Sequence, residues 1–426
     1  MKKLIILLSV IFAFTNTSKA SHLMGGEITA VHIGNGQYVV MLTIFRDMSG
    51  VSIGTTPQTI TVFNNPNLQS LTLQYDSTWV HPLFGLQNGQ PIPNFPYGVD
   101  VYFFVDTISL SPGTMDLTWG TCCRNGTISN LTNPGSSGIT LAAELMVDAT
   151  NNSTPVFLTP PVVAVPLDSA WQYNPLPFDA DGDSLVWSFT DPYDNGIAFP
   201  PSLIPYTSPP SHPTGPFSID PITGTISWTA NVIGNYAMTV LCEEFRNGSK
   251  IGEIRRDMQY IVVPDSVLFM PTVYNMNSIP NNGAGYPYIA TQANQPLNFF
   301  LMVNNQNNNV SMQAYGEPFL LDNNAATFST INDNNDVVGT FYWTPTNNEA
   351  RTAPYFIVIR SSNGTFSYDE TIQIEVSSIT AVSDFTISKQ LLKVMDILGR
   401  DTKPKRNTPL FYIYDDGTVE KRIVIE

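Results

Sequence analysis

Charged side chains are scarce in this chain. They make up 13% of its 426 residues, about half the usual share. Cysteine is scarcer still, with three residues, Cys122, Cys123 and Cys242, too few for a disulfide framework. The four histidines, His22, His32, His81 and His212, are scattered without metal-ligand spacing. There is no Gly-x-Ser-x-Gly, no His-Glu-x-x-His and no phosphate-binding glycine loop, so no motif points to a hydrolase or a nucleotide enzyme. After the first 20 residues no run approaches the roughly 18 apolar residues of a membrane-spanning helix. Helical periodicity is nearly absent. Leu141 to Val147 is a short candidate that reads equally well as a strand.

Asn, Thr, Ser, Pro and Gly take the place of charge, while apolar residues hold at 42%, enough to bury real cores. The length predicts roughly two to four domains. The net charge is −16, and its distribution is uneven. Residues 1–20 carry three cations and no anion, and 389–426 carry eight cations and six anions, leaving eight cations against 29 anions in 21–388. Such a body repels nucleic acid and anionic lipid, and favours divalent cations.

Alternating or β-branched runs recur between Gly, Pro and Asn turns, as in Gln37–Phe45, Thr59–Phe63, Leu71–Tyr75, Val99–Asp106 and Tyr260–Val263. An internal repeat is visible. Trp228 precedes Tyr236 and the turn Asn247-Gly248; Trp343 precedes Tyr355 and the turn Asn363-Gly364. Each set reads as the closing half of a β-sandwich with aromatics between its sheets. The sequence therefore predicts an all-β chain of tandem β-sandwich domains, with units at 21–150, 151–264 and 265–378 and a β segment at 379–426.

Both ends read as addresses. Two Lys, the apolar run Leu4–Phe14 and Ser18-Lys19-Ala20 describe a secretory signal peptide over 1–20, with cleavage between Ala20 and Ser21. At the other end, Leu391–Ile397 reads as a strand, and Leu410–Tyr414 and Val419–Ile425 flank Asp415-Asp416-Gly417-Thr418, a hairpin signal. Val394-Met-Asp-Ile-Leu-Gly399-Arg400, Pro404, Asn407, Tyr414, Asp416 and Gly417 resemble the C-terminal sorting domain of type IX secretion cargo in Bacteroidetes. That resemblance covers about 38 residues, and such domains are usually longer upstream. It implies the type IX secretion machinery as a partner, passage to the outer cell surface, and removal of the tail after roughly residue 385.

Asp179-Ala-Asp181-Gly-Asp183-Ser-Leu185 and Phe217-Ser-Ile-Asp220-Pro-Ile-Thr-Gly224-Thr-Ile226 resemble bacterial cadherin-like and immunoglobulin-like surface domains. His22-Leu-Met-Gly25-Gly26-Glu27-Ile-Thr29 and Glu243-Glu-Phe-Arg246 with Arg255-Arg256-Asp257 resemble a recurring set of surface proteins from gliding Bacteroidetes. Alternate aspartates in a tight turn supply several of the six to eight oxygens that Ca²⁺ requires. Asp179, Asp181 and Asp183, with Asp220 approaching from another strand pair, form the candidate calcium site. The spacing is not that of an EF-hand, since Gly182 and Thr190 stand where that loop differs.

The cysteines leave alternatives open. Cys242 closes a core-like strand, Met238–Cys242, and reads as a buried thiol. A bond between adjacent Cys122 and Cys123 needs a distorted peptide, and a bridge from Cys242 to one of them suits an oxidising compartment. The charges Glu243-Glu244 and Arg255-Arg256-Asp257 are expected to pair across a hairpin. Tyr97, Tyr102, Phe103, Phe104 and Trp79 are candidates for sugar stacking, against core roles. Ser77, Thr107, Ser169, Ser184 and Ser266 each follow an Asp in a pattern similar to the O-glycosylation acceptors of Bacteroidetes. The leading expectation is a non-enzymatic surface protein in adhesion or recognition, with an extracellular glycan or surface protein as partner. A structural envelope or gliding component is second, and a secreted hydrolase third.

Overall fold

The computed structural model describes residues 22–81, 98–148, 152–196, 198–264, 270–305, 310–378, 391–396, 400–414 and 419–423. The chain forms two compact units, Met1–Ser377 and Ser378–Glu426. It is all-β, and its large unit is built of packed sheets that are antiparallel except for two parallel strand pairs.

The first seven strands are β1 (Leu23–Gly34), β2 (Gln37–Asp47), β3 (Gln58–Phe63), β4 (Ser70–Val80), β5 (Val99–Ser109), β6 (Gly113–Cys122) and β7 (Gly138–Val147). Leu141–Val147 is thus strand. Nine more follow: β8 (Val156–Phe157), β9 (Val162–Pro166), β10 (Ala170–Tyr173), β11 (Pro177–Phe178), β12 (Ser184–Thr190), β13 (Ser218–Ile219), β14 (Ile226–Thr229), β15 (Gly234–Arg246) and β16 (Ser249–Val263). The expected boundary at residue 150 falls inside one sheet. Its order is β1-β2-β5-β4-β3-β6-β7-β16-β15-β12, with β9 also on β16. The strand β16 pairs with β7 through Gly252–Arg255 and with β1 through Gly26 and Asp257, so the order returns on itself. Residues 21–150 therefore share a sheet and a core with 151–264. The reason is the length of β16: its 15 residues serve both halves.

The closure point is where glycine is required. Gly25 and Gly26 have φ of +145° and +157°, and an added Cβ would lie 2.3 Å from the Asp257 carbonyl oxygen and 2.2 Å from that of Thr43. Three buried strands meet there, and only backbone fits between them.

The third sandwich has sheets β17 (Tyr288–Gln292), β23 (Ser367–Ser377), β22 (Arg351–Ser362), β19 (Ser311–Gly316) and β18 (Leu297–Asn304), β21 (Asp336–Trp343), β20 (Thr327–Asp333), in those orders. The Trp-Tyr repeat has one packing solution in both copies. Trp228 meets Tyr236 edge to face at 5.5 Å and 86°, and Trp343 meets Tyr355 at 5.1 Å and 78°. Asn247-Gly248 forms the two-residue β15–β16 turn with both residues at positive φ, as such hairpins demand. The small unit is an antiparallel meander, β24 (Leu391–Met395), β25 (Leu410–Tyr414) and β26 (Val419–Arg422), around Val394, Leu410, Tyr412 and Tyr414.

The third sandwich is seated on the rest of the large unit. Phe366, at the β22–β23 turn, is 1% exposed in a cluster with Met24, Phe45, Val99 and Val162. The buried Asp369 accepts from the Asn174 backbone N–H at 2.8 Å and from Arg360 Nε at 2.7 Å.

Candidate functional site

The Asp179–Asp183 turn leads into β12, which pairs with β15. Asp179 Oδ1 accepts from the backbone N–H of Asp181 and Gly182, each at 2.8 Å, and of Asp183 at 3.3 Å. This carboxylate-capped turn, with Gly182 at φ +77°, is why the sequence alternates Asp with small residues here. It brings three aspartates to Glu244 of β15, and one ligand oxygen from each of the four lies within 4.8 Å of the others.

The remaining oxygens are partly engaged. Ser153 N–H donates to Asp181 Oδ2 at 2.6 Å, and Asn152 Nδ2 donates to Glu244 Oε2 at 2.9 Å. Arg246 grips both oxygens of Asp183, at 2.8 and 2.5 Å. Asp179 Oδ2 and Glu244 Oε1 are buried and take no hydrogen bond from any other described residue; the two oxygens have only each other, through a shared proton. Burial first, then the hydrogen bond and charge of Asp179, push the Glu244 carboxyl up to about 10. Burial and the Asp179 charge raise Asp181 as well. Three aspartates and a protonated Glu244 against one guanidinium leave the site net negative. The donors are all hard oxygens, which suits Ca²⁺ and does not suit zinc or copper.

Beside the turn lies a cavity of about 230 Å³ between the second and third sandwiches. Asp179, Asp183 and Trp187 line one side; Glu317, Arg351 and Phe356 line the other. Arg351 is held by Glu317 at 2.6 Å and lies 3.7 Å from the Tyr355 ring centre.

Asp220 does not join the aspartate group. Its Oδ1 accepts from Ile222 and Thr223, and its Oδ2 accepts from Tyr286 Oη at 2.7 Å. It caps its own turn, because the next residues present N–H groups within reach. The cysteines resolve differently from the bridging alternative. Cys122 and Cys123 are bonded to each other, and Cys242 is a buried free thiol on β15. The expected charge pairing across the hairpin does not form either. Register sets Glu243 opposite Glu253 and Leu241 opposite Arg255. Arg256 instead pairs with Glu27 at 2.8 Å, Asp257 with Arg124 at 2.6 Å, and Arg255 stacks on Tyr193 at 4.0 Å.

Of the glycosylation candidates, Thr107 and Ser184 are exposed and Ser77 and Ser169 half-buried; Ser266 lies outside the described residues. Ala20, Ser21, Tyr97, Gly399, Asp416 and Gly417 also lie outside them. In the small unit Arg400 pairs with Asp396 at 2.8 Å, Pro404 is exposed, Asn407 turns at φ +57°, and Tyr414 is buried. Among the aromatics Trp79 is 64% exposed and packs on Phe103, while Tyr102 and Phe104 are core. His212 lies 3.1 Å from Asp168, but the neighbouring Ser211 hydroxyl donates to the Pro209 carbonyl at 3.0 Å and not to His212, so these three are not arranged as a hydrolase triad. Among the described residues no helix is long and apolar enough to cross a membrane.

Glu244 is the site residue that the sequence reading placed elsewhere. Its signal is the period of two along β15. Tyr236, Met238, Val240, Cys242 and Glu244 share one face, each no more than 2% exposed, so the glutamate continues a buried apolar row.

No family model and no curated protein matches the chain. Solved structures similar to it include the four-domain ectodomain fragment of ICAM-5, at 8% identity over 92% of this chain and 95% of that one, with a TM-score of 0.19. Rst D1-D2 is similar at 12% identity over 53% of this chain and 100% of its own, with a TM-score of 0.18. An endo-fucoidan hydrolase of glycoside hydrolase family 107, MfFcnA4, is similar at 12% identity over 76% of this chain and 42% of its own, with a TM-score of 0.17. The class of the chain is set by its own strands: an all-β protein of tandem sandwiches.

Proposed function

We propose that this chain is an exported cell-surface protein that recognises a partner outside the cell without catalysing a reaction, and that Asp179, Asp181, Asp183 and Glu244 hold a Ca²⁺ ion. The export half rests on the signal-like start and the sorting-like tail. The cation half is carried by one observation: inside a group of four acidic side chains, the buried Asp179 Oδ2 and Glu244 Oε1 take no amide, hydroxyl or cationic donor and have only a proton shared between them. Two buried carboxyls held together by a single proton are costly, and a hard cation takes the place of that proton and compensates both. The ion would join the Asp179 turn to β15 and stiffen one wall of the cavity that faces the third sandwich. The resemblance to cadherin-like domains supports the same ion.

Calorimetry on chelator-treated protein tests the cation. Ca²⁺ is expected to release or take up heat at one site and to raise the melting temperature, with about 2.7 kcal/mol of added stability at a hundredfold excess over Kd. Asp179→Asn is expected to abolish both effects. No heat and no melting shift with either Ca²⁺ or Mg²⁺ would sink the cation reading. Binding of the full chain to whole cells, absent in every condition, would sink the recognition reading.

A further inference from the structure

A second cavity, of about 460 Å³, opens on the other side of the seam between the second and third sandwiches. Its size lies inside the roughly 300–1,000 Å³ of small-molecule sites. One wall is the outward face of the sheet β10-β14-β13, where register aligns Gln172, Ser227 and Ser218 in a row across three strands. The alternate residues Trp171, Tyr173, Ile226 and Trp228 point into the core, so the row is held on a rigid backing. The facing wall comes from the third sandwich, with Tyr286, Glu370 and Thr371.

We infer that this groove binds a neutral saccharide. The inference rests on the recognition reading above and names a ligand class for it, at a place apart from the aspartate turn. Three features carry it. The side chains of Gln172, Ser218, Ser227 and Glu370 make no hydrogen bond within the described protein, so an amide, two hydroxyls and a carboxyl are left for a ligand. Lining groups that are already used hold the walls together. Thr225 and Thr371 bond across the seam at 3.0 Å, and Tyr286 Oη is tied to Asp220, which fixes its ring. No Lys or Arg lines the groove, while Asp220 and Glu370 do, which disfavours sulfated, phosphorylated or carboxylated ligands. Closely spaced donors and acceptors beside a fixed aromatic ring are what a sugar's hydroxyls and C–H face require. Burial and the neighbouring Asp369 raise the Glu370 carboxyl to about 7, so near neutrality it can both donate and accept.

The test is an array of neutral gluco-, manno-, galacto- and xylo-oligosaccharides, with sulfated counterparts, probed with the full chain and followed by titration calorimetry of the strongest neutral binder. Ser227→Tyr, which fills the groove, is expected to weaken that binder at least tenfold. Gln172→Ala, which removes one hydrogen bond and no packing, is expected to weaken it about threefold to tenfold. The melting temperature of Gln172→Ala should be that of the parent, so loss through misfolding is separated from loss of contact. Capture of sulfated sugars alone, or a neutral binder indifferent to both variants, overturns the groove. Cell binding that survives Ser227→Tyr with no oligosaccharide captured also overturns the groove and leaves the recognition reading standing. A chain that binds neither cells nor sugars overturns both.

Discussion

Arg124 donates two hydrogen bonds into Asp257, Nη1 to Oδ1 at 2.8 Å and Nη2 to Oδ2 at 2.6 Å, across 133 residues of sequence. Both side chains are buried, and Arg124 is further held by the carbonyls of Gly138 and Tyr193. The pair fastens the loop after β6 to the strand β16 that closes the first sheet. Asp257→Ala leaves a buried guanidinium with half its partners gone. The expected loss is about 3–5 kcal/mol of unfolding free energy. A smaller loss for the double variant Arg124→Met/Asp257→Leu is expected, because it leaves no lone charge. Equal losses for the single and double variants in denaturant titrations would show that the pair acts through packing alone.

The glycines at the closure give a sharper result. Gly26→Ala adds a Cβ 2.2 Å from the Thr43 carbonyl oxygen at a φ of +157°, and backbone cannot yield as a flexible side chain can. The substitution should prevent β1 from sitting between β2 and β16, with loss of cooperative melting. Gly36→Ala, with nothing within 4 Å of its Cβ and φ of +69°, should cost far less, on the order of 1 kcal/mol. Comparable melting of the two variants would remove the steric account of the closure.

How much of this was legible beforehand differs from residue to residue. The Trp228/Tyr236 and Trp343/Tyr355 repeats, the Asn247-Gly248 hairpin and the aspartate turn are local patterns, and local geometry realises them. What the sequence reading missed is long-range. Gly25-Gly26-Glu27 and Arg255-Arg256-Asp257 are one structural set, because Glu27 pairs with Arg256 and Gly26 lies opposite Asp257, more than 220 residues away. A division at residue 150 follows naturally from turn spacing, but the 15-residue β16 overrides it by pairing with β7, β9, β15 and β1. Asp220 looked available because a turn aspartate and a ligand aspartate have the same spelling; only its bonds to Ile222, Thr223 and Tyr286 distinguish them.

Phe366 offers a test of how the third sandwich is seated. It is 1% exposed and packs into a cluster drawn from outside its own sandwich, with Met24, Phe45, Val162 and Ile261. Phe366→Ala should cost about 3–5 kcal/mol at that contact. Its own sandwich core, around Leu301, Phe341 and Ile357, does not include Phe366. The expected outcome is therefore a separate, earlier melting transition and new proteolytic cleavage near residue 270, with strand content retained. A single transition shifted as a whole would mean that the seam and the third core are one cooperative unit.

Stability should also fall as pH rises toward neutrality, through Glu370. Burial and the charge of Asp369 raise its carboxyl from 4.5 to about 7 in the folded chain. A raised carboxyl favours the protonated folded state, so its contribution is complete below the unfolded value and is lost as pH climbs through about 7. Each unit is worth roughly 1.4 kcal/mol, which makes the whole effect a few kcal/mol. Asp116, raised to about 6 chiefly by burial, acts in the same direction over a lower window. His81 acts oppositely. Burial lowers it from 6.5 to about 3, so its contribution is present above 6.5 and is lost as pH falls. Glu370 is isolated by comparing the parent with Glu370→Gln at fixed cation concentration. The parent should lose stability between pH 4.5 and 7 relative to the variant, and the two curves should run parallel outside that window. Parallel curves throughout would mean that water reaches the Glu370 carboxyl and that the groove wall is wetter than its burial implies.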